Sequence, residues 1–107
     1  MEAQAIVIMT TVAAEAEADA IATYLLEAEL AACIQEVPIT SRYRWQGEVQ
    51  REGEILLLVK TSPAAADATM AAIAERHPYD VPEILAVPAT GGSPAYLQWL
   101  AAEARGR

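Results

Sequence analysis

Two uninterrupted apolar runs constrain this chain more than anything else in it. Ala5-Ile6-Val7-Ile8-Met9 leads into Thr10-Thr11-Val12, and Ile55-Leu56-Leu57-Leu58-Val59 follows fifty residues later. Neither run shows the alternation of a strand with one wet face. Each has the pattern of a central strand covered on both sides. Between them, Ala14 to Glu29 is rich in Ala, Glu and Leu, lacks Gly and Pro, and sets Ile21, Leu25 and Ala28 on one face. That segment is expected to be a helix.

The remaining elements follow from local signals. Ala31 to Val37 is a strand that Pro38 is expected to interrupt. From Ser41 the residues alternate, with Tyr43, Trp45 and Val49 expected on one side and Arg42, Arg44, Glu48 and Gln50 on the other. Gly47 marks a hairpin turn between them, and Gly53 suits a bulge or second bend. Ser62-Pro63 has the form of a helix start, with Ser62 as cap and Pro63 in the first turn. Met70, Ile73, Ala74 and His77 form the inward stripe of that helix, and Pro78 ends it at His77. Ile84 to Val87 is a short strand closed by Pro88. Ser93-Pro94 opens a last helix whose stripe is Leu97, Leu100, Ala101 and Ala104, and the tail Arg105-Gly106-Arg107 is expected to fray. Strand-helix-strand thus occurs twice, with a helix added. The expected class is α+β: a ferredoxin-like, split βαβ antiparallel sheet with helices on one face and an extra C-terminal helix. No linker or repeat divides the chain, so residues 1–107 are expected to form a single domain.

Charge narrows the function. Fifteen acidic residues against seven basic ones leave a net charge of -8. A nucleic-acid backbone needs clustered Lys and Arg, and an anionic membrane surface repels such a chain, so neither is an expected partner. No apolar run approaches a membrane span, and the acidic start runs directly into a strand without the form of a signal peptide. With a single cysteine, the expected compartment is the cytoplasm.

Nucleophilic catalysis finds little to work with. His77 is the one histidine, and Ser62 and Ser93 are placed as helix caps. Cys33 reads as a small core residue, with a Cys33–His77 pair as the alternative. No enzyme is expected, and Gly91-Gly92 matches no phosphate loop, so no organic cofactor is either. His77, Asp80 and Glu83 lie within seven residues stiffened by Pro78 and Pro82, and imidazole with carboxylates suits Cu(II) or another divalent cation. The competing reading has His77 end its helix and bond to a carbonyl or carboxylate. Tyr43, Trp45 and Lys60 form a second set, fit either to line a small-molecule cleft or oligomer contact, or to cover the sheet.

In order along the chain stand Thr10-Thr11, Leu30-Ala31-Ala32-Cys33, Thr40-Ser41-x-Tyr43-x-Trp45-x-Gly47 and Glu54-x-Leu56-x-Leu58-x-Lys60-Thr61. Then come His77-Pro78-Tyr79-x-Val81-Pro82-Glu83-Ile84 and Gly92-Ser93-Pro94-Ala95-Tyr96-Leu97-x-Trp99. Taken together, over about residues 6 to 100, this string resembles the CutA family of divalent-cation tolerance proteins. The resemblance implies a homotrimer closed through sheet edges, with a shape similar to the PII signalling proteins. It also implies weak copper binding and no established catalysis. The residues carried forward for metal are His77, Asp80 and Glu83, with sulfur offered by Cys33 and Met9. Those carried forward for an intersubunit cleft are Cys33, Tyr43, Trp45, Lys60, Tyr79 and Glu83. A PII-like trimer that takes a small molecule or a partner protein in that cleft is the alternative function.

Overall fold

In the computed structural model, which describes residues 2–106, the elements are β1 (Ala5–Val12), α1 (Glu15–Glu27), β2 (Cys33–Trp45), β3 (Glu48–Thr61), α2 (Ala66–Arg76), β4 (Leu85–Ala89) and α3 (Pro94–Glu103). The four strands form one sheet in the order β2-β3-β1-β4, every neighbouring pair antiparallel. The two apolar runs are its central strands, as their pattern requires. This is the expected split βαβ arrangement.

Alternation divides β1 and β3 between two faces. Ile8 and Val12 of β1 and Leu57 and Val59 of β3 point to one side. There they meet Ala18, Ile21 and Leu25 of α1 and Ala72 and Ile73 of α2 in the main core. Val7, Met9, Leu56 and Leu58 point to the other side and are only half-buried. Lys60 belongs to that second face, and its ammonium lies 5.8 Å from the centre of the Tyr96 ring, so α3 covers one end of it.

The helices and loops are tied by side chains that local patterns do not announce. Glu17 accepts hydrogen bonds from the backbone N–H groups of Ala13 and Ala14, closing the start of α1. Ser62 caps the turn before α2 rather than the helix itself, which begins at Ala66. Its Oγ accepts from the Ala65 N–H and donates to the Ala104 carbonyl. The inward side of α2 includes Ala66 and the buried Thr69, while Ala74 faces out. Thr61 and Thr69 both reach the Leu30 carbonyl at 2.7 Å. Arg105 is held by the Glu29 carboxylate, and the Gly106 N–H bonds the Glu29 carbonyl, so the tail is anchored to that point. Arg107 lies outside the described residues.

Four expectations change, at Pro38 in β2, Val49 and Gly53 in β3, and Pro88 in β4. Pro38 does not interrupt β2, and β4 runs through Pro88 to Ala89, because both are edge strands. A proline there gives up only a hydrogen bond that no neighbour in the sheet would receive. Gly53 forms no bulge: the register from Cys33↔Lys60 to Trp45↔Glu48 is unbroken. Val49 does not share a side with Tyr43 and Trp45. The turn at Gln46-Gly47 has two residues, both with positive φ (51° and 80°), so odd positions of β2 sit opposite even positions of β3. Val49 therefore stands with Arg42, Arg44 and Arg51, and Glu48, Gln50 and Glu52 stand with Tyr43 and Trp45.

Since β1 pairs with β3 only from Ile55 to Thr61, the stretch 39–54 is a two-stranded arm. It projects about 23 Å beyond the sheet at the usual rise per residue.

Candidate functional site

Along this arm, from its root at Glu54 to Trp45 near its tip, runs a cleft of about 660 Å³. The arm supplies Ser41, Tyr43, Trp45, Glu52 and Glu54. Thr11 comes from the end of β1, and Tyr79, Asp80, Val81, Pro82 and Glu83 come from the segment between α2 and β4. Two prolines stiffen that segment, which bends at residues 78–81, and two contacts pin it. His77, at the C-cap of α2, bonds the Thr11 carbonyl through Nε2 at 2.9 Å, while its Nδ1 accepts the Tyr79 N–H at 3.2 Å. A carbonyl can only accept and an N–H can only donate, so the ring is the neutral Nε2–H form with both nitrogens engaged. The Tyr79 ring meets the imidazole edge-on, with centroids 4.7 Å apart.

The Tyr79 hydroxyl then donates to Glu54 Oε2 at 2.7 Å. Glu54 is only 9% exposed, at the point where the arm leaves the sheet. Burial, the Glu54 hydrogen bond and the charges of Glu54, Glu17 and Glu52 hold the Tyr79 hydroxyl far above the ordinary tyrosine range. Tyr43 is raised too, first by hydrogen bonding with Glu52, then by desolvation and the charges of Glu52 and Glu54. Both hydroxyls are thus held protonated, as donors facing carboxylates.

Of the residues expected at a cleft, Tyr43, Trp45, Tyr79 and Glu83 come together here, with Asp80. Cys33 and Lys60 do not line it. They are paired with each other on β2 and β3, ten residues along the strand from the Tyr43–Gln50 pair, or about 33 Å. Cys33 is also remote from His77. The imidazole sits at Thr11, level with Leu56, and Cys33 lies four residues further along β3, roughly 13 Å away. Met9 pairs with Leu58 and Leu85 in the middle of the sheet.

For a metal, the chemistry of the donors is apt but their arrangement is not a cage. Among the described residues no three His, Cys, Asp or Glu side chains converge to hold an ion. Both His77 nitrogens are already used, and Asp80 and Glu83 are exposed. Sequence reasoning missed Glu54, Glu52 and Thr11. Alternation carried back from Leu58 and Leu56 was the signal that places Glu54 on this face.

Comparison with known proteins agrees with the fold. Residues 6–103 match the family model described as CutA1 divalent ion tolerance protein. The chain is 48% identical over 95 residues to the divalent-cation tolerance protein CutA of Thermus thermophilus, covering 88% of this chain and 92% of that protein. It is 41% identical over 96 residues to the chloroplastic CutA of Arabidopsis thaliana, covering 89% of this chain and 53% of that one. The solved structure of the Thermus thermophilus protein superposes with a TM-score of 0.88 at 46% identity, over 92% of this chain and 97% of the other. No helix among the described residues is long and apolar enough to cross a membrane. With the motifs, the sheet order and these relatives in agreement, the chain belongs to the CutA family of divalent-cation tolerance proteins.

Proposed function

We propose that the chain works as a cytoplasmic homotrimer in divalent-cation tolerance, and that its direct contact with Cu(II) or another divalent cation is weak. The observation that carries the assembly is the uncovered apolar surface around the arm. A two-stranded ribbon is marginal in water by itself. Here its tip exposes Trp45 (44%) and Val49 (70%), and the edge strand β4 exposes Leu85 (58%) and Val87. Three copies closed in a ring bury such edges without leaving one free. The single half-buried thiol supports the compartment.

The bonding of His77 supports weak metal contact. Nδ1 carries the lone pair, so a cation taken there displaces the Tyr79 N–H, and Asp80 or Glu83 supplies oxygen. The lost hydrogen bond opposes each binding event. Native mass spectrometry with and without one equivalent of Cu(II) per chain, over a dilution series, tests both halves. A trimer that persists on dilution, with copper uptake lost in His77→Ala, is the expected result. A monomer refutes the assembly, and unchanged uptake in His77→Ala removes His77 from the site.

A second reading is favoured by the cleft itself. Its volume is that of a small-molecule site, consistent with a PII-like adaptor that binds a ligand there.

A further inference from the structure

The arm carries opposite charge on its two faces, and neither is balanced within the chain. Its register sets Arg42 directly across from Arg51 and Arg44 across from Val49. Three of the seven basic residues therefore stand together on one side of one ribbon, all of them exposed. Like charges directly opposite each other in a ladder repel. Among the described residues the ion pairs join Arg76 to Glu75 and Arg105 to Glu29, so the three arginines of the arm have no carboxylate partner there.

The other side is acidic. Glu52 stands on it, and the cleft it borders adds Asp80 and Glu83, all three exposed. The charge of Glu17 also acts on the Tyr79 hydroxyl, so α1 brings one more carboxylate to this rim. Arg42 itself borders the cleft, whereas Arg44 and Arg51 do not. The two faces point in opposite directions, so a single neighbour cannot meet both. In a two-fold pair one of them stays uncovered. In a head-to-tail ring each copy gives one face to the copy before it and the other to the copy after it.

We propose that the arginine face of one copy's arm seats on the carboxylate rim of the next copy's cleft. Arg44 and Arg51 lie against the next copy's Glu52, Asp80 and Glu83, with Val49 packed between the arginines. This rests on the homotrimer reading and names the surfaces that close the ring. Guanidinium–carboxylate pairs of this kind fix which surface docks where, because any other register sets like charges together.

The test is the dissociation of the full-length protein, followed by light scattering on dilution at a fixed urea concentration below the unfolding transition. The measurement is made between about 0.01 and 0.15 M NaCl, over which the screening length falls from roughly 30 to 8 Å. Copies of net charge -8 that met without complementary charge would repel, and salt would then strengthen the trimer. Complementary docking has the opposite sign: salt is expected to weaken the wild-type trimer. Arg44→Glu with Arg51→Glu is expected to raise the concentration of half-dissociation at least about ten-fold. Asp80→Arg with Glu83→Arg is expected to do the same. All four substitutions together restore the wild-type net charge and are expected to recover most of the loss, with circular dichroism checking the fold of each variant. A wild-type trimer that salt strengthens or leaves unchanged overturns the proposal, with no variant needed, and leaves the trimer standing. So does a four-substitution variant that assembles no more tightly than either pair. A wild-type chain that is monomeric before urea is added overturns the homotrimer reading, and this proposal with it.

Discussion

Tyr79→Phe isolates the contact on which the cleft depends. The substitution keeps the ring against His77 and deletes only the hydroxyl that donates to Glu54 at 2.7 Å. A hydrogen bond to a charged group contributes roughly 1.5–3 kcal/mol, and a buried acceptor left without its donor loses most of that. Glu54 is 9% exposed, but the cleft beside it is open to water, which recovers part of the loss. A destabilisation of about 1–2 kcal/mol is therefore expected. Guanidinium unfolding at fixed protein concentration measures it, because assembly makes apparent stability concentration-dependent. In a double-mutant cycle with Glu54→Gln, most of the loss is expected to appear as coupling between the two positions. The same hydroxyl gives an alkaline signature. Its pKa is raised in the folded state, so its stabilisation is complete below pH 10, where tyrosine ionises in the unfolded chain. The contribution declines as pH rises beyond that value and is lost through the folded-state pKa. In an absorbance titration of phenolate, Tyr79→Phe is expected to remove a step well above pH 10. A ΔΔG below about 0.5 kcal/mol with no coupling, or a Tyr79 step at ordinary tyrosine pH, refutes the argument that Glu54 is desolvated and held by this donor.

Two other perturbations follow from the fold. Thr10 is fully buried in β1, and its Oγ1 has no hydrogen-bond partner among the described residues. Thr10→Val is expected to stabilise the protein by about 1 kcal/mol in chemical denaturation, since it removes an unsatisfied hydroxyl; a destabilised variant contradicts that account. Leu85→Asp places a charge on the exposed side of the edge strand β4, where the proposed assembly covers it. Light scattering is expected to show smaller species at micromolar concentration with the fold retained by circular dichroism, and an unchanged trimer excludes β4 from the interface.

Much of the fold was legible because its signals are local. The apolar runs at 5–9 and 55–59 mark the central strands, since a strand covered on both faces has no polar phase. Gly47 marks the hairpin because a two-residue turn needs positive φ. Pro38 and Pro88 misled for a related reason. A proline reports its missing N–H, but whether that group faced a neighbour depends on whether the strand lies at an edge.

The candidate site was only half legible, and the division is physical. Sequence alone determined which segments are stiff, which are apolar, and that imidazole, phenol and carboxylates stand close together at 77–83. Only the tertiary structure decided what meets what. Register through a two-residue turn put Val49 on the opposite side of the arm from Trp45. It also left Lys60 and Cys33 four residues along β3 beyond the level of Thr11, outside the cleft they were expected to line. Packing of α2 on the sheet delivered Tyr79 to Glu54, 25 positions earlier in the chain, and engaged both nitrogens of His77. Periodicity encodes the face of an element on which a residue lies; strand pairing and crossover set the distance between elements, and chemistry at a site depends on that distance.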